Sequence, residues 1–98
     1  MFYIVHALDN PGSAARRKIA YDSHIEHLNE AQRHAIRIVL AGPLLDNDEQ
    51  TPVGSVFLLE AQDEVGVCKF ISANSFMTEG VWSSLTINAF RRGRGLVI

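Results

Sequence analysis

Four histidines, His6, His24, His27 and His34, are the residues of this chain best suited to proton transfer. Imidazole ordinarily titrates near pH 6.5, so it can accept and return protons at neutral pH. His24 and His27 are three residues apart in a segment that predicts a helix, which places them on one face. That spacing could also bind a metal ion, but no third ligand at a definite spacing accompanies the pair. A metal site is therefore the weaker alternative, and we expect no cofactor.

Asp9 is the second candidate for chemistry. It ends the first predicted strand, directly before the turn sequence Asp-Asn-Pro-Gly, where an aspartate commonly caps the turn. The same carboxylate could instead accept the N–H of a histidine ring, which would fix the tautomer and favour the charged form of the ring. Both interpretations stay open on sequence grounds, although a strand end and the start of the next helix lie close enough for Asp9 to meet His24.

The elements that must position these residues follow from hydrophobic periodicity and turn signals. A long amphipathic helix is predicted from the N-cap Ser13 to about Ala35, and whether it is interrupted near Tyr21–Asp22 stays open. Strands are predicted at 2–8, 36–41 (closed by Gly42–Pro43), 53–60 and 81–90, and a weaker helix at 61–73. The order β-α-β-β-α-β predicts an α+β, ferredoxin-like fold: a four-stranded antiparallel sheet with two helices on one face.

That architecture leaves the second face of the sheet without cover. Because one domain of 98 residues cannot cover both faces with two helices, we expect a homodimer in which two sheets pack together as a dimeric α+β barrel. A concave cavity beside the sheet would then suit a small-molecule ligand.

Composition narrows the classes of protein further. Nine basic and eleven acidic residues give a net charge of −2, and three of the arginines lie in the last eight residues, which argues against general nucleic-acid binding. A single cysteine excludes an intrachain disulfide and fits a reducing cytoplasm. No leader or membrane-length apolar run is apparent, so we expect a soluble cytoplasmic protein.

A resemblance runs through nearly the whole chain. It is carried by Ala7–Leu8–Asp9 at the end of the opening strand, by His24–Leu28 in the helix, by Ala41–Leu44, and by Gly80–Trp82 followed by Asn88–Arg92. In this order the segments resemble the YCII-related family. The resemblance implies a dimeric ferredoxin-like α+β barrel, similar to muconolactone isomerase, with a catalytic His–Asp pair formed by His24 and Asp9.

The chain departs from the family pattern after the second helix. The family usually has Asp-Pro-Phe or Asp-Pro-Tyr there, whereas this chain has Asn74–Ser75–Phe76. If that aspartate works with the histidine, the pair is broken here; if Asp9 is the partner, the pair is intact and Asn74 and Ser75 are neutral donors near the ligand. We favour the second case. Trp82, Phe76 and Phe90 could form an aromatic wall for a planar ligand, although aromatic residues on strands more often belong to the core or to a dimer interface.

The resemblance implies a small enzyme of aromatic-compound catabolism in which His24 is the general base and acid and Asp9 orients it. Its most concrete form is the dehydrochlorination of a chlorinated hydroxyquinol, with chloride leaving toward Ser75 or Asn74. A muconolactone-type isomerase would use the same base. A non-catalytic dimer that binds a small metabolite or a protein partner is the alternative from another functional class.

Overall fold

The order of elements agrees with the prediction. The computed structural model describes residues 1–96. Its strands are β1 (Phe2–Asp9), β2 (Arg37–Leu45), β3 (Pro52–Glu60) and β4 (Trp82–Phe90), and its helices are α1 (Ala14–Asn29), α2 (Glu64–Ser72) and the single-turn α3 (Ser75–Thr78).

The four strands form one antiparallel sheet in the order β2-β3-β1-β4. This is the ferredoxin-like arrangement, and the predicted fold class is confirmed. Alternate residues of β1 face the helices: Val5 pairs with Phe57 and Ala7 with Ser55, and all four are buried. The hydrophobic core lies between this face and the helices, and its largest fully buried apolar side chains are Phe57, Phe70, Phe76, Leu59, Ile71, Val5, Val67 and Val81.

The other face of the sheet keeps apolar side chains in solvent. Leu8 of β1, Leu40 of β2 and Phe90 of β4 are 44%, 53% and 37% exposed. Their pairing partners in the ladder place them on the side opposite the helices. Residues 1–96 contain no helix with the length and apolar character that crossing a bilayer requires.

The first helix and the second strand differ from the prediction. Helix α1 runs without a break through Tyr21–Asp22 and ends at Asn29, and a separate 3₁₀ turn (Ala31–His34) follows it. Ala35 then takes a left-handed conformation with φ of 56°, which redirects the chain into β2. The predicted end of β2 at Gly42–Pro43 is wrong, because β2 is an edge strand and such a strand tolerates a proline, which has no N–H to donate.

The region after β3 contains a helical turn that the sequence pattern did not predict. Asp63 caps α2 by accepting the N–H of Gly66, and α2 ends at Ser72. Asn74 then begins α3, since its side-chain oxygen accepts the N–H of Phe76. Gly80, with φ of 72°, turns the chain into β4. The short helix α3 packs against α1 and brings Asn74 to the functional site.

Candidate active site

A cavity of about 170 Å³ lies between α1 and the strands β2 and β3. Arg17, Tyr21, His24 and Leu28 form its helical wall. Their spacing of four, three and four residues places them on one face of α1. Ile25, beside His24 on α1, also contributes, and the remaining wall residues belong to the strands: Ala41, Gly42, Pro43, Ser55 and Phe57.

His24 is the titratable base of this cavity, and it is only 7% exposed. Its ring stacks on Phe76, with centroids 3.9 Å apart and planes inclined by 3°. Burial lowers the pKa of His24, and the nearby Arg17 cation and His27 lower it further, whereas the hydrogen bond with Asn74 acts in the opposite direction. The ring is therefore neutral at neutral pH.

The hydrogen bonds of Asn74 determine which tautomer the neutral ring adopts. Oδ1 of Asn74 lies 2.9 Å from the backbone nitrogen of Phe76, which can only donate, so the atom at this position is an oxygen. The same oxygen lies 2.9 Å from Nδ1 of His24. Because an amide oxygen only accepts, Nδ1 carries the proton and Nε2 keeps its lone pair. Nε2 has no hydrogen-bond partner within residues 1–96, so it is the free basic atom of His24.

Arg17 stands beside His24 in the cavity wall. Its Nε donates to Asp9 at 2.9 Å, and its Nη2 donates to the carbonyl oxygen of Gly54 at 2.6 Å and to Oγ of Ser55 at 3.0 Å. The guanidinium carbon lies 4.7 Å from the centroid of the Phe76 ring. These contacts hold the cation rigidly, while its Nη1 has no hydrogen-bond partner in the described part of the chain.

Ser55 adds a second donor to the cavity. Its Oγ accepts from Arg17 and, at 3.2 Å, from Nε1 of Trp82. With both lone pairs engaged, the hydroxyl hydrogen of Ser55 is available to a ligand. Among the wall residues, His24 therefore offers an acceptor at Nε2, and Arg17 and Ser55 offer donors at Nη1 and the hydroxyl.

Asp9 is near this site but does not hydrogen-bond to His24. Its Oδ2 accepts from Arg17, and its Oδ1 is buried without a hydrogen-bond partner among residues 1–96. The direct bond that the sequence analysis favoured between Asp9 and His24 is therefore not formed. The polar partner of the imidazole is Asn74 instead, because α3 places that side chain against the ring. Asp9 balances the charge of Arg17.

The four residues expected to contact a ligand lie behind His24 and are not among the wall residues of the cavity. Asn74 and Phe76 are fully buried and support the imidazole. Ser75 donates to the backbone oxygen of Ala20, and Trp82 donates to Ser55. These four side chains therefore support the surrounding structure and do not line the cavity themselves.

His24 and His27, the pair considered as metal ligands, hydrogen-bond to two different partners. His24 bonds to Asn74, whereas Nε2 of His27 donates to the carbonyl oxygen of Phe70 at 2.7 Å. That carbonyl lies in the last turn of α2, so His27 satisfies a helix-end acceptor. Across residues 1–96, no three His, Cys, Asp or Glu side chains form a group that could hold a metal ion.

The sequence analysis missed three contributors to the site: Arg17, Ser55 and Tyr21. The seven-residue spacing from Arg17 to His24, two helical turns, was a usable signal because it predicts a shared face. No local signal identified Ser55, which reaches the cavity only through pairing of β3 with β1 and β2. Gly54, next to Ser55, has no room for a side chain, since a β-carbon there would lie 2.3 Å from the backbone oxygen of Ala7.

Comparison with known proteins identifies a family model and a relative that match the sequence of this chain. Residues 1–91 match the YCII-related domain. A xenovulene A biosynthesis cluster protein of Sarocladium schorii is 40% identical to this chain, in a match that spans 62% of this chain and 61% of the relative's length.

Solved structures show the same fold. The 5-chloro-2-hydroxyhydroquinone dehydrochlorinase of Burkholderia phenoliruptrix AC1100, in complex with 2,5-dihydroxybenzoquinone, superposes with a TM-score of 0.82 at 23% identity, covering 95% of this chain and 96% of that one. An antibiotic biosynthesis monooxygenase superposes with a TM-score of 0.56 at 13% identity, covering 96% of this chain and all of the other. At these identities the likeness is one of fold.

Proposed function

The chain belongs to the YCII-related family, and on this premise we propose that it is a small enzyme that catalyses proton transfer on a hydroxylated ring. The observation that carries the proposal is the neutral His24, whose Nδ1 proton is held by Asn74 so that Nε2 is left as a base. A base that is fixed in one tautomer in the wall of a cavity is suited to general acid–base catalysis, which contributes about 10²–10⁴-fold.

Arg17 and Ser55 are the residues that would stabilise the negative charge formed in this reaction. When His24 removes a proton from a ring hydroxyl, negative charge develops on the oxygen atoms of the ring. Nη1 of Arg17 and the Ser55 hydroxyl are donors that can bind such an oxygen, and both are held in place by other hydrogen bonds. Donors fixed before the reaction stabilise developing charge without reorganisation. Asp9 keeps the guanidinium in position.

Dehydrochlorination of a chlorinated hydroxyquinol is the reaction we assign to this arrangement. His24 takes a hydroxyl proton and returns it to the ring carbon that bears chlorine, which becomes tetrahedral. His24, neutral again, then takes the proton of a second hydroxyl as the carbon–chlorine bond breaks and the electron pair of that bond leaves with chloride. The net change is loss of one proton and one chloride, giving a hydroxybenzoquinone, so no electron acceptor is required. The dehydrochlorinase with the same fold is named for this chemistry.

Asn74 limits the substrates that such a base can use. An amide cannot balance the charge of an imidazolium as a carboxylate would, and burial already disfavours the charged ring. His24 is consequently a weak base, and the substrate must carry an acidic hydroxyl whose oxyanion Arg17 stabilises. Polyhydroxylated and halogenated rings fit this requirement.

The test is release of chloride from 5-chloro-2-hydroxyhydroquinone under anaerobic conditions, measured by ion chromatography. We expect His24→Ala to reduce turnover by about a hundredfold or more with the fold preserved. The matched control is His34→Ala, since His34 is exposed and lies outside the cavity wall. Turnover that survives both His24→Ala and Asp9→Asn would refute the mechanism.

The same His24 variant, assayed on a lactone and in a ligand-binding measurement, separates the alternatives. A muconolactone-type isomerase would lose its activity on a lactone in the same His24 variant. In a non-catalytic binding protein, His24→Ala would leave ligand affinity within a few-fold, and no substrate would be turned over. The free basic nitrogen beside two fixed donors favours catalysis over binding alone.

A homodimer is part of the proposal. Leu8, Leu40 and Phe90 leave an apolar surface on the sheet face opposite the helices. A second copy of the chain, packed sheet against sheet, would bury this surface and form the α+β barrel that the family resemblance implies. The cavity lies on the helical side of the sheet, so dimerisation through the outer face leaves it accessible.

A further inference from the structure

A wide surface groove opens directly beside the cavity that holds His24. Cavity and groove share Arg17, Tyr21 and Pro43 in their walls, so the two spaces are neighbours on either side of these side chains. The groove has a volume of about 620 Å³ against about 170 Å³ for the cavity. Its other walls come from the start of α1 and the end of the β2–β3 hairpin, at Ala14, Lys18, Asp22, Thr51 and Pro52.

The two volumes indicate a ligand with two parts. A cavity of about 150 Å³ accommodates one benzene molecule, so the space beside His24 holds a single ring with small substituents. Sites for small molecules usually measure about 300–1,000 Å³. The cavity alone is below this range, whereas the cavity and groove together fall within it. A ligand confined to the cavity would leave the adjoining space to water.

The side chains of the groove indicate the chemistry of the second part. Ala14, Pro52 and the half-exposed ring of Tyr21 present apolar surface. The charge of Arg17 is balanced by its ion pair with Asp9. Lys18 and Asp22 carry opposite charges four residues apart on α1, so the groove walls add no net charge. An uncharged, aliphatic substituent suits such walls better than an acidic or basic one.

We propose that the natural ligand carries an alkyl arm on its hydroxylated ring, with the ring beside His24 and the arm in the groove. The inference rests on the proposed function for the ring and adds the substituent. The ring centroids of Tyr21 and His24 are 6.3 Å apart, so an arm on the side of the ligand facing Tyr21 passes into the groove within a few bonds. Tyr21 and Pro43, at the junction, would then determine specificity.

The experiment compares 2,5-dihydroxybenzoquinone with its 3-propyl and 3-hexyl derivatives. Binding is followed by quenching of Trp82, the single tryptophan, whose ring centroid lies 6.5 Å from that of His24. Full burial of one methylene corresponds to about fourfold in affinity. We expect the hexyl compound to bind about tenfold or more tightly than the parent, with the propyl compound between them.

A pair of variants shows where the arm binds. Ala14→Phe fills the groove, and we expect it to reduce the gain from the hexyl chain to about threefold or less while the parent compound binds as before. Ala15→Phe is the matched control, because Ala15 is exposed on the same helical turn but is not a groove residue. We expect this control to retain the full gain.

The outcomes distinguish the arm from the ring. If the parent binds but the alkyl chains add nothing, or if their gain persists in Ala14→Phe, the inference is overturned and the proposed function stands. If the parent fails to bind but the hexyl compound binds and loses affinity in Ala14→Phe, the groove is supported and the assigned ring is wrong. Failure of all three compounds overturns both.

Discussion

Replacing Asn74 with aspartate is the most direct test of how His24 is controlled. Oδ1 of Asn74 is 2.9 Å from Nδ1 of His24, so Asn74→Asp places a negative charge against the ring and keeps an acceptor for the N–H of Phe76. The second carboxylate oxygen replaces Nδ2, which is buried and has no hydrogen-bond partner within residues 1–96, so no bond is lost there.

The size of the effect follows from the change in hydrogen-bond type. A neutral hydrogen bond contributes about 0.5–1.5 kcal/mol and one to a charged group about 1.5–3 kcal/mol, a difference of about 1–2 kcal/mol. At about 1.4 kcal/mol for each factor of ten, the pair binds its proton about 5- to 30-fold more tightly. The pKa of His24 therefore rises in Asn74→Asp. Burial of the new carboxylate acts in the same direction, since an unpaired buried charge is unfavourable.

Nuclear magnetic resonance of the labelled imidazole nitrogens measures both the tautomer and the pKa of His24. In the wild type we expect the proton on Nδ1, a bare Nε2, and titration below the ordinary range of histidine. In Asn74→Asp the ring should titrate at higher pH, and the acid limb of the turnover profile should move the same way, because a general base must be unprotonated. Asn47→Asp, in the exposed hairpin turn, controls for the change in net charge.

Two results would refute the reasoning. A wild-type proton on Nε2 would mean that Asn74 does not fix the tautomer. An unchanged or lower titration midpoint for His24 in Asn74→Asp would mean that the contact between the two side chains does not control the charge of the ring.

Three further predictions concern the ion pair, the pH dependence of stability and the outer face of the sheet. Arg17→Gln should lower the free energy of unfolding by about 3–5 kcal/mol because it leaves the buried charge of Asp9 unpaired. Adding Asp9→Asn should restore part of this loss in denaturant titrations, and additive effects of the two substitutions on the free energy of unfolding would contradict the prediction. The lowered pKa of His24 means that this residue binds a proton more readily in the unfolded chain than in the folded one, so the free energy of unfolding should fall as pH drops below about 6.5. Urea titrations at pH 7 and pH 5 should show a smaller decline for His24→Gln than for the wild type, and an equal decline would exclude His24 as a cause. Leu40→Asp should convert the proposed dimer to a monomer in light scattering, whereas an unchanged mass would place the interface elsewhere.

The periodic parts of the chain were predictable because their signals are local. The opening strand ends at Asp9 in a turn sequence, and the apolar stripe of α1 repeats at helical spacing, so the order of elements and the ferredoxin-like fold followed. Errors occurred where long-range structure overrides local preference. Pro43 was expected to end β2, but an edge position allows the strand to continue. The short helix α3 has too few residues to show a period.

The candidate site divides in the same way. Imidazole chemistry limited the candidates to four histidines, and the resemblance to the YCII-related family implied His24 among them. Its partner could not be identified, because Asp9 and Asn74 were both compatible with the order of elements. The choice depends on the packing of α3 against α1, which brings together side chains 50 residues apart.

The amino-acid sequence by itself determined the order of the main elements, the fold class and the histidines as candidate bases, since periodicity, turn chemistry and the pKa of imidazole are properties of short segments. Only the tertiary structure decided that Asn74 holds His24 in one neutral tautomer, that Asp9 forms an ion pair with Arg17, and that a groove adjoins the cavity. These features arise where α1, α3 and the β2–β3 hairpin meet. Hydrogen bonds and cavities between distant segments depend on distances of a few ångströms, and spacing along the chain does not encode them.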